Sequence, residues 1–224
     1  MVAPVLRRSR RREGGRLAAA AAGYAARGWP VCQGAYPPGN AKTTGRACSC
    51  DRVGCPAPAA HPMSPAWQLQ ASCDPGEVSQ RWAHHPAANV VLPTGRVFDV
   101  LDVPAPAGTT ALDGMRRAGM QPGPVATGSG RALFFVATRG APEDEDEWWS
   151  CHLDCAPEDV GEVASLRWHC RNSYVLAPPS RDAAGLAARW ISAPGGAGPC
   201  ALPDAVRLLE FLADACEEEE AAFR

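Results

Sequence analysis

No stretch of this chain approaches the roughly 20 consecutive apolar residues that carry a helix across a bilayer, so a membrane partner is not expected. An excess of positive charge is missing as well. The 22 Lys and Arg face 24 Asp and Glu, leaving a net charge of −2 and a pI near 6.2. A chain so balanced does not coat nucleic acid by bulk charge, and any such contact must be local. Nor is a secretory leader expected. Arg7, Arg8, Arg10, Arg11 and Arg12 do precede an alanine run. That run, from Leu17, is weakly apolar, is broken by Tyr24 and Arg27, and is set off from the arginines by Glu13-Gly14-Gly15. The expected location is cytoplasmic, and residues 1–15 read as a basic flexible tail.

What is present suffices for a core. A length of 224 residues, 46% of them hydrophobic, fits one large domain or one with an embedded small module. Gly and Pro, 22 each, predict many turns and long connections. Residues 16–27 form an alanine-rich helix closed by Gly28, and Trp29-Pro30-Val31 enters a strand. A second helix opens with Asp74 as N-cap and Pro75 and Glu77 behind it, and turns Val78 and Trp82 inward. His84-His85-Pro86 ends it, and the adjacent histidines read as a solvated helix end. A third helix runs from Gly108 through Leu112 and Met115 to Gly119. The last, from about Pro203 to Cys216, lines one face with Val206, Leu209, Leu212 and Ala213. Glu217 to Glu220 oppose its dipole, so its end is expected to fray.

Ten cysteines raise the question of disulfides or metal, and spacing decides it. Cys48, Cys50, Cys55 and His61 fall within fourteen residues of a loop too poor in apolar side chains to fold by itself. Three thiolates and an imidazole complete a tetrahedral structural zinc site with no open position for chemistry. Disulfides or free thiols are the alternative. A second set, Cys151 and Cys155 with His169 or Cys170, could meet across strands; buried small hydrophobes are the alternative there.

The chain is organised around Asn89 to Pro104, two short apolar strands joined by Pro-Thr-Gly-Arg and ending on a carboxylate. A charge at the end of a buried strand is costly unless it binds something, so Asp102 is the candidate catalytic residue. Asp99 lies on the opposite face by strand alternation, and the position two beyond Asp102 is Pro104. Further on, Val125 to Val136 reads as strand, glycine turn, strand. Such a turn, carrying Ser129 and followed by Arg131, can meet a phosphate, although the same residues build any hairpin. With Lys42, Arg96 and Arg171 these form the candidate nucleotide or nucleic-acid contacts; ordinary surface charge is the alternative.

In order along the chain, these features resemble the N-terminal domain of bifunctional DNA primase/polymerases, the prim-pol branch of the archaeo-eukaryotic primases. The resemblance rests on Ala25 to Val31, Cys48, Cys50, Cys55 and His61-Pro62, Arg81-Trp82, Pro86 and Asn89, Thr94-Gly95, Gly128 to Phe135, and Tyr174 to Ser180. It implies an α+β fold, an RRM-like antiparallel sheet with flanking helices and an inserted zinc-binding loop. It also implies domain bounds of 16–194, with the zinc loop at 45–62 and a C-terminal helix and acidic tail over 195–224. In active relatives an Asp-x-Asp strand holds divalent metals, a histidine after the glycine turn contacts the nucleotide, and a third acid completes the site. Here Asp102 alone survives. Pro104 and Ala132 stand at the next two positions, and Ser165 to Ser173 contains no acid.

The expected function is therefore a catalytically degenerate prim-pol domain that binds nucleotide or nucleic acid in replication or repair. Structural Zn2+ is its expected cofactor, with Mg2+ or Mn2+ only if it is active. No helicase segment is expected within this chain, and a replication or helicase-type protein is the expected partner. Two alternatives stay open: an active enzyme with rearranged acids, such as Asp154 or those of residues 143–147, and a zinc-stabilised scaffold that uses Trp148-Trp149 or the acidic tail.

Overall fold

The computed structural model describes residues 3–38, 48–50, 52–138, 158–160, 163–196 and 200–222. Two compact units divide the chain. One comprises Met1–Pro93, Leu176–Arg189 and Ala197–Pro199, the other Thr94–Val175, Trp190–Gly196 and Cys200–Arg224. The result is a mixed α+β protein of antiparallel sheets and flanking helices.

The first unit begins with α1 (Ala3–Ala26). It is helical from Ala3, so residues 3–15, expected as a tail, continue the helix expected from residue 16. Arginine, leucine and alanine are all strong helix formers, and Gly14 allows a close approach: a Cβ there would lie 2.9 Å from the carbonyl oxygen of Pro86. Leu17, Ala21 and Tyr24 form the buried stripe of α1. The Tyr24 hydroxyl donates to Pro178 O at 2.6 Å, and its ring stacks on Trp29. The short α2 (Trp67–Gln70) precedes α3 (Pro75–His84). At the start of α3 Asp74 Oδ1 accepts from the backbone N–H groups of Gly76 and Glu77, and Val78 and Trp82 are buried, as the capping sequence predicts.

Three strands, β1 (Cys32–Gly34), β2 (Asn89–Pro93) and β8 (Tyr174–Leu176), form a sheet in the order β1-β2-β8. Asn89 secures it: Nδ2 lies within hydrogen-bond reach of the Ala35, Ala59 and Arg181 carbonyls, and Oδ1 accepts from Arg181 N–H. One buried side chain thus satisfies backbone groups from three loops.

The second unit holds β3 (Phe98–Pro104), α4 (Ala105–Arg117), β4 (Val125–Gly128), β5 (Arg131–Ala137), β6 (Glu158–Val160), β7 (Val163–His169), β9 (Arg189–Ser192) and α5 (Ala205–Ala222). Its six strands run in the order β6-β7-β3-β5-β4-β9. Central β3 pairs antiparallel with β5, Asp102 opposite Leu133, and with β7, Asp102 opposite Arg167. The Pro-Thr-Gly-Arg turn does not close a hairpin, because β2 and β3 lie in different sheets. Gly95, at φ +80°, lets the turn pack on the next one: a Cβ there would lie 2.2 Å from Arg171 Cα. The glycine-turn hairpin is present, with β4 paired to β5 and Ser129 and Gly130 both at positive φ.

Alternation along the strands sends Leu101, Val103, Phe134, Val136 and Leu166 to one face. There they meet Ala107, Ala111 and Met115 of α4 and Leu208, Leu212, Ala215 and Cys216 of α5. The buried stripe of α5 is therefore 205, 208, 212, 215 and 216, whereas Val206, expected to face inward, is exposed. Nor does α5 fray at Glu217. It continues to Ala222, and Ser165 Oγ donates to Glu220 Oε1 at 3.0 Å. Among the described residues no helix is long and apolar enough to cross a membrane.

Because Leu212 is fully buried at the centre of this helix-sheet layer, Leu212→Ala is expected to lower stability by about 2–5 kcal/mol. Chemical denaturation followed by tryptophan fluorescence measures it; a loss under about 1 kcal/mol would show that α5 is an appendage and not part of the core.

Candidate functional site

Asp102 is buried near the end of β3 and has both carboxylate oxygens engaged. Arg131, at the start of β5, donates from Nε to Oδ1 at 2.7 Å. His169, at the end of β7, donates from Nε2 to Oδ2 at 3.2 Å, which leaves its Nδ1 to accept from the Ser173 hydroxyl at 2.9 Å. A guanidinium remains charged at any working pH, so the carboxylate has a permanent counter-charge beside it.

Arg131 also repairs the sheet. The β3-β7 register pairs Val100 with His169, Leu101 with Trp168 and Asp102 with Arg167, and then stops. Continued by two residues, it would set Pro104 opposite Ser165, and proline has no N–H to offer. Arg131 Nη2 instead donates to Asp102 O at 3.0 Å and to Ser165 O at 2.8 Å. One side chain from β5 therefore reaches across β3 to β7. It neutralises the acid and supplies a donor where the ladder ends.

Ala132, the neighbour of Arg131, is buried on the helix side of the sheet. It packs on Gly108 of α4, where a Cβ would come within 2.4 Å of the Ala132 Cβ. A side chain larger than alanine has no room at this position without moving α4.

In the first unit, Cys48, Cys50, Cys55 and His61 bring their ligand atoms within 4.8 Å of one another. The surroundings suit a metal. Backbone N–H groups of Ala59, Arg52 and Ala57 hydrogen-bond the sulfurs of Cys48, Cys50 and Cys55 in turn. His61 Nδ1 donates to Pro62 O at 2.7 Å, which fixes the tautomer that leaves Nε2 free to ligate, 3.4 Å from Cys48 Sγ. The Arg52 N–H holds the Cys50 thiol down to about 7, in the range of a ready thiolate, while burial lifts Cys55 to about 11. Cys32, by contrast, is driven up to about 12 by burial and behaves as a core hydrophobe. Three sulfurs and one imidazole can hold a zinc ion in a closed shell.

A scan of family models matches residues 21–205 to the bifunctional DNA primase/polymerase N-terminal family. The chain belongs to this family. A search of curated proteins returns no match. In a prim-pol domain the resemblance places divalent metal at Asp102 and the residue two beyond it, and these residues do not fit such an ion. Both Asp102 oxygens are hydrogen-bonded to protein donors, and Pro104 has no ligand atom in its side chain.

The remaining candidates separate. Arg96 and Arg171 are exposed on the two turns that touch at Gly95. Ser129 is exposed at the hairpin tip, while Arg131 is committed to Asp102. Lys42, Cys151, Cys155, Asp154, Trp148-Trp149 and residues 143–147 lie outside the described residues. The roles of His169 and Ser173 beside Asp102 had no sequence signal, since Asp102 and His169, 67 residues apart, meet only through strand register, and Ser165 meets Glu220 only through the packing of α5 on the sheet.

If the cluster holds zinc, the purified chain carries about one equivalent by elemental analysis, and Cys55→Ala or His61→Ala removes most of it. The metal should leave as pH falls, because protons compete for the thiolates. Metal content unaffected by either substitution would remove the cluster as the site.

Proposed function

We propose that this chain is a prim-pol domain that has lost nucleotidyl transfer and retains nucleic-acid binding, with a structural zinc in its Cys48, Cys50, Cys55 and His61 loop. The observation that carries the first half is the saturation of Asp102 by Arg131 and His169. Metal-dependent phosphoryl chemistry needs ions held by converging carboxylates, which place and activate the nucleophile and stabilise charge on the phosphate. Here a cation already sits on the one acid left, and the same cation is tied to two backbone carbonyls. To bind an ion, Asp102 would have to give up both partners and leave Arg131 without its counter-charge. The packing of Ala132 against Gly108 points the same way, since it leaves no space for a nucleotide-contacting histidine.

Binding in this reading runs through Arg96 and Arg171, which the Gly95 turn brings onto adjoining loops, with Ser129 as a further contact. Such a pair grips phosphates without reading sequence. Zinc, when bound, supplies cross-linking of the loop and no chemistry, because the four protein ligands close its shell. A helicase or replication protein is the partner that this reading expects for work on DNA.

One zinc-loaded preparation tests both halves on a labelled primer-template. The expected outcome is no Mg2+- or Mn2+-dependent extension above that of Asp102→Ala, together with single-strand binding that weakens with salt. Arg96→Ala with Arg171→Ala should lower the salt slope by about 0.7 per lost phosphate contact. Extension abolished by Asp102→Ala would instead establish an active enzyme, and absence of binding at low salt would remove the nucleic-acid role.

A further inference from the structure

The Cys48, Cys50, Cys55 and His61 cluster is unevenly sheltered. Cys48 is 6% exposed, whereas Cys50 and Cys55 are half-buried. Of the residues between these two, Arg52, Val53 and Gly54 are exposed. Gly54 sits at φ +68° with open space where a Cβ would stand, so the turn that joins the two sulfurs can tighten freely. Cys50 and Cys55 take their backbone donors from this turn and just beyond it, at Arg52 and Ala57.

The other two ligands are tied to the sheet. Cys48 Sγ accepts from the Ala59 N–H at 3.2 Å, and the Ala59 carbonyl accepts from Asn89 Nδ2 at 2.9 Å. Tyr36 N–H donates to Ser49 Oγ, and Ser49 N–H to Tyr36 O. His61 O accepts from Ala35 N–H. One pair of ligands is therefore anchored around β1 and β2, and the other stands on the solvent side.

We propose that the cluster is a peroxide-sensitive clasp, in which oxidation joins Cys50 to Cys55 and releases the zinc; the clasp rests on the zinc reading given above. A thiol that ligates zinc is already deprotonated, so exposure decides which sulfur an oxidant reaches. One of the two half-buried thiolates attacks an oxygen of hydrogen peroxide, forming an S–O bond as the O–O bond breaks and hydroxide leaves. The other thiolate then attacks that sulfur, forming the S–S bond and expelling a second hydroxide, and two protons from solvent turn both hydroxides into water. The thiolates lose two electrons and the peroxide gains them. All four ligand atoms lie within 4.8 Å of one another, so the second sulfur is close to the first. Ser49 alone separates Cys48 from Cys50, and a bridge there would close a smaller and more strained ring than Cys50 to Cys55. One thiolate and one imidazole remain, without the closed shell that holds zinc. Cys32 and Cys216 are buried and shielded from the oxidant.

Peroxide titration of the zinc-loaded full chain tests it, in a Cys73→Ser background that removes an exposed thiol outside the cluster. Released zinc is read with a chromogenic chelator, thiols are counted, and the bridge is located by peptide mass mapping. The expected result is release of about one zinc for about two thiols lost, a Cys50–Cys55 bridge, and reloading on dithiothreitol with zinc. Cys50→His keeps four groups that zinc accepts and removes half of the bridge, so it should release zinc at least about tenfold more slowly. If this variant takes up no zinc, the peptide map of the parent chain decides by itself. Zinc held through excess peroxide, release with sulfinic acid and no bridge, a bridge that omits Cys50 or Cys55, or failure to reload would each overturn the proposal. A parent chain that binds no zinc at all overturns the zinc reading along with the clasp, whereas one that binds zinc and keeps it in peroxide overturns the clasp alone.

Discussion

A carboxylate buried at the end of a central strand must be neutralised or bound, and the neighbourhood of Asp102 is arranged to do this with protein groups. Arg131 and His169 approach from the strands on either side, one oxygen each. Stripping one partner from a buried pair typically costs about 3–5 kcal/mol because the other charge is left uncompensated. The pairing therefore constrains both residues and the three strands that carry them. Arg131 serves further as the donor that reaches Ser165 O beyond the point where the β3-β7 ladder stops. Charge balance and strand closure depend on the same guanidinium, so a change at Pro104 is coupled to Arg131 through the sheet itself.

Much of the scaffold was legible in advance because its signals are local. Asp74-Pro75 at a helix start, Gly28 at a helix end and the Gly-Ser-Gly hairpin each depend on a few neighbouring backbone angles. The family resemblance was likewise legible, since ordered short motifs carry it. The metal cluster shares this locality: four ligands within fourteen residues can converge without help from the rest of the fold.

What was not legible depends on register or on packing between distant elements. Alternation along β3 places Asp102 on a face but says nothing of which residues on β5 and β7 lie opposite, so from the sequence His169 reads as a ligand in a cysteine set and Arg131 as a phosphate contact. The face of α5 was misplaced by one step at Val206, because Leu208 and Leu212 meet a sheet whose position the helix sequence does not encode. The start of α1 lies earlier than the sequence suggests: its arginines read as a charged tail, although arginine is nearly as good a helix former as alanine.

The central claim is that Asp102 is held by protein hydrogen-bond donors and not by a metal ion, and Mn2+ titration followed by electron paramagnetic resonance on the zinc-loaded chain tests it directly. The account predicts the same weak, non-saturating uptake for the chain and for Asp102→Asn. A saturable Mn2+ site that disappears in Asp102→Asn would contradict it.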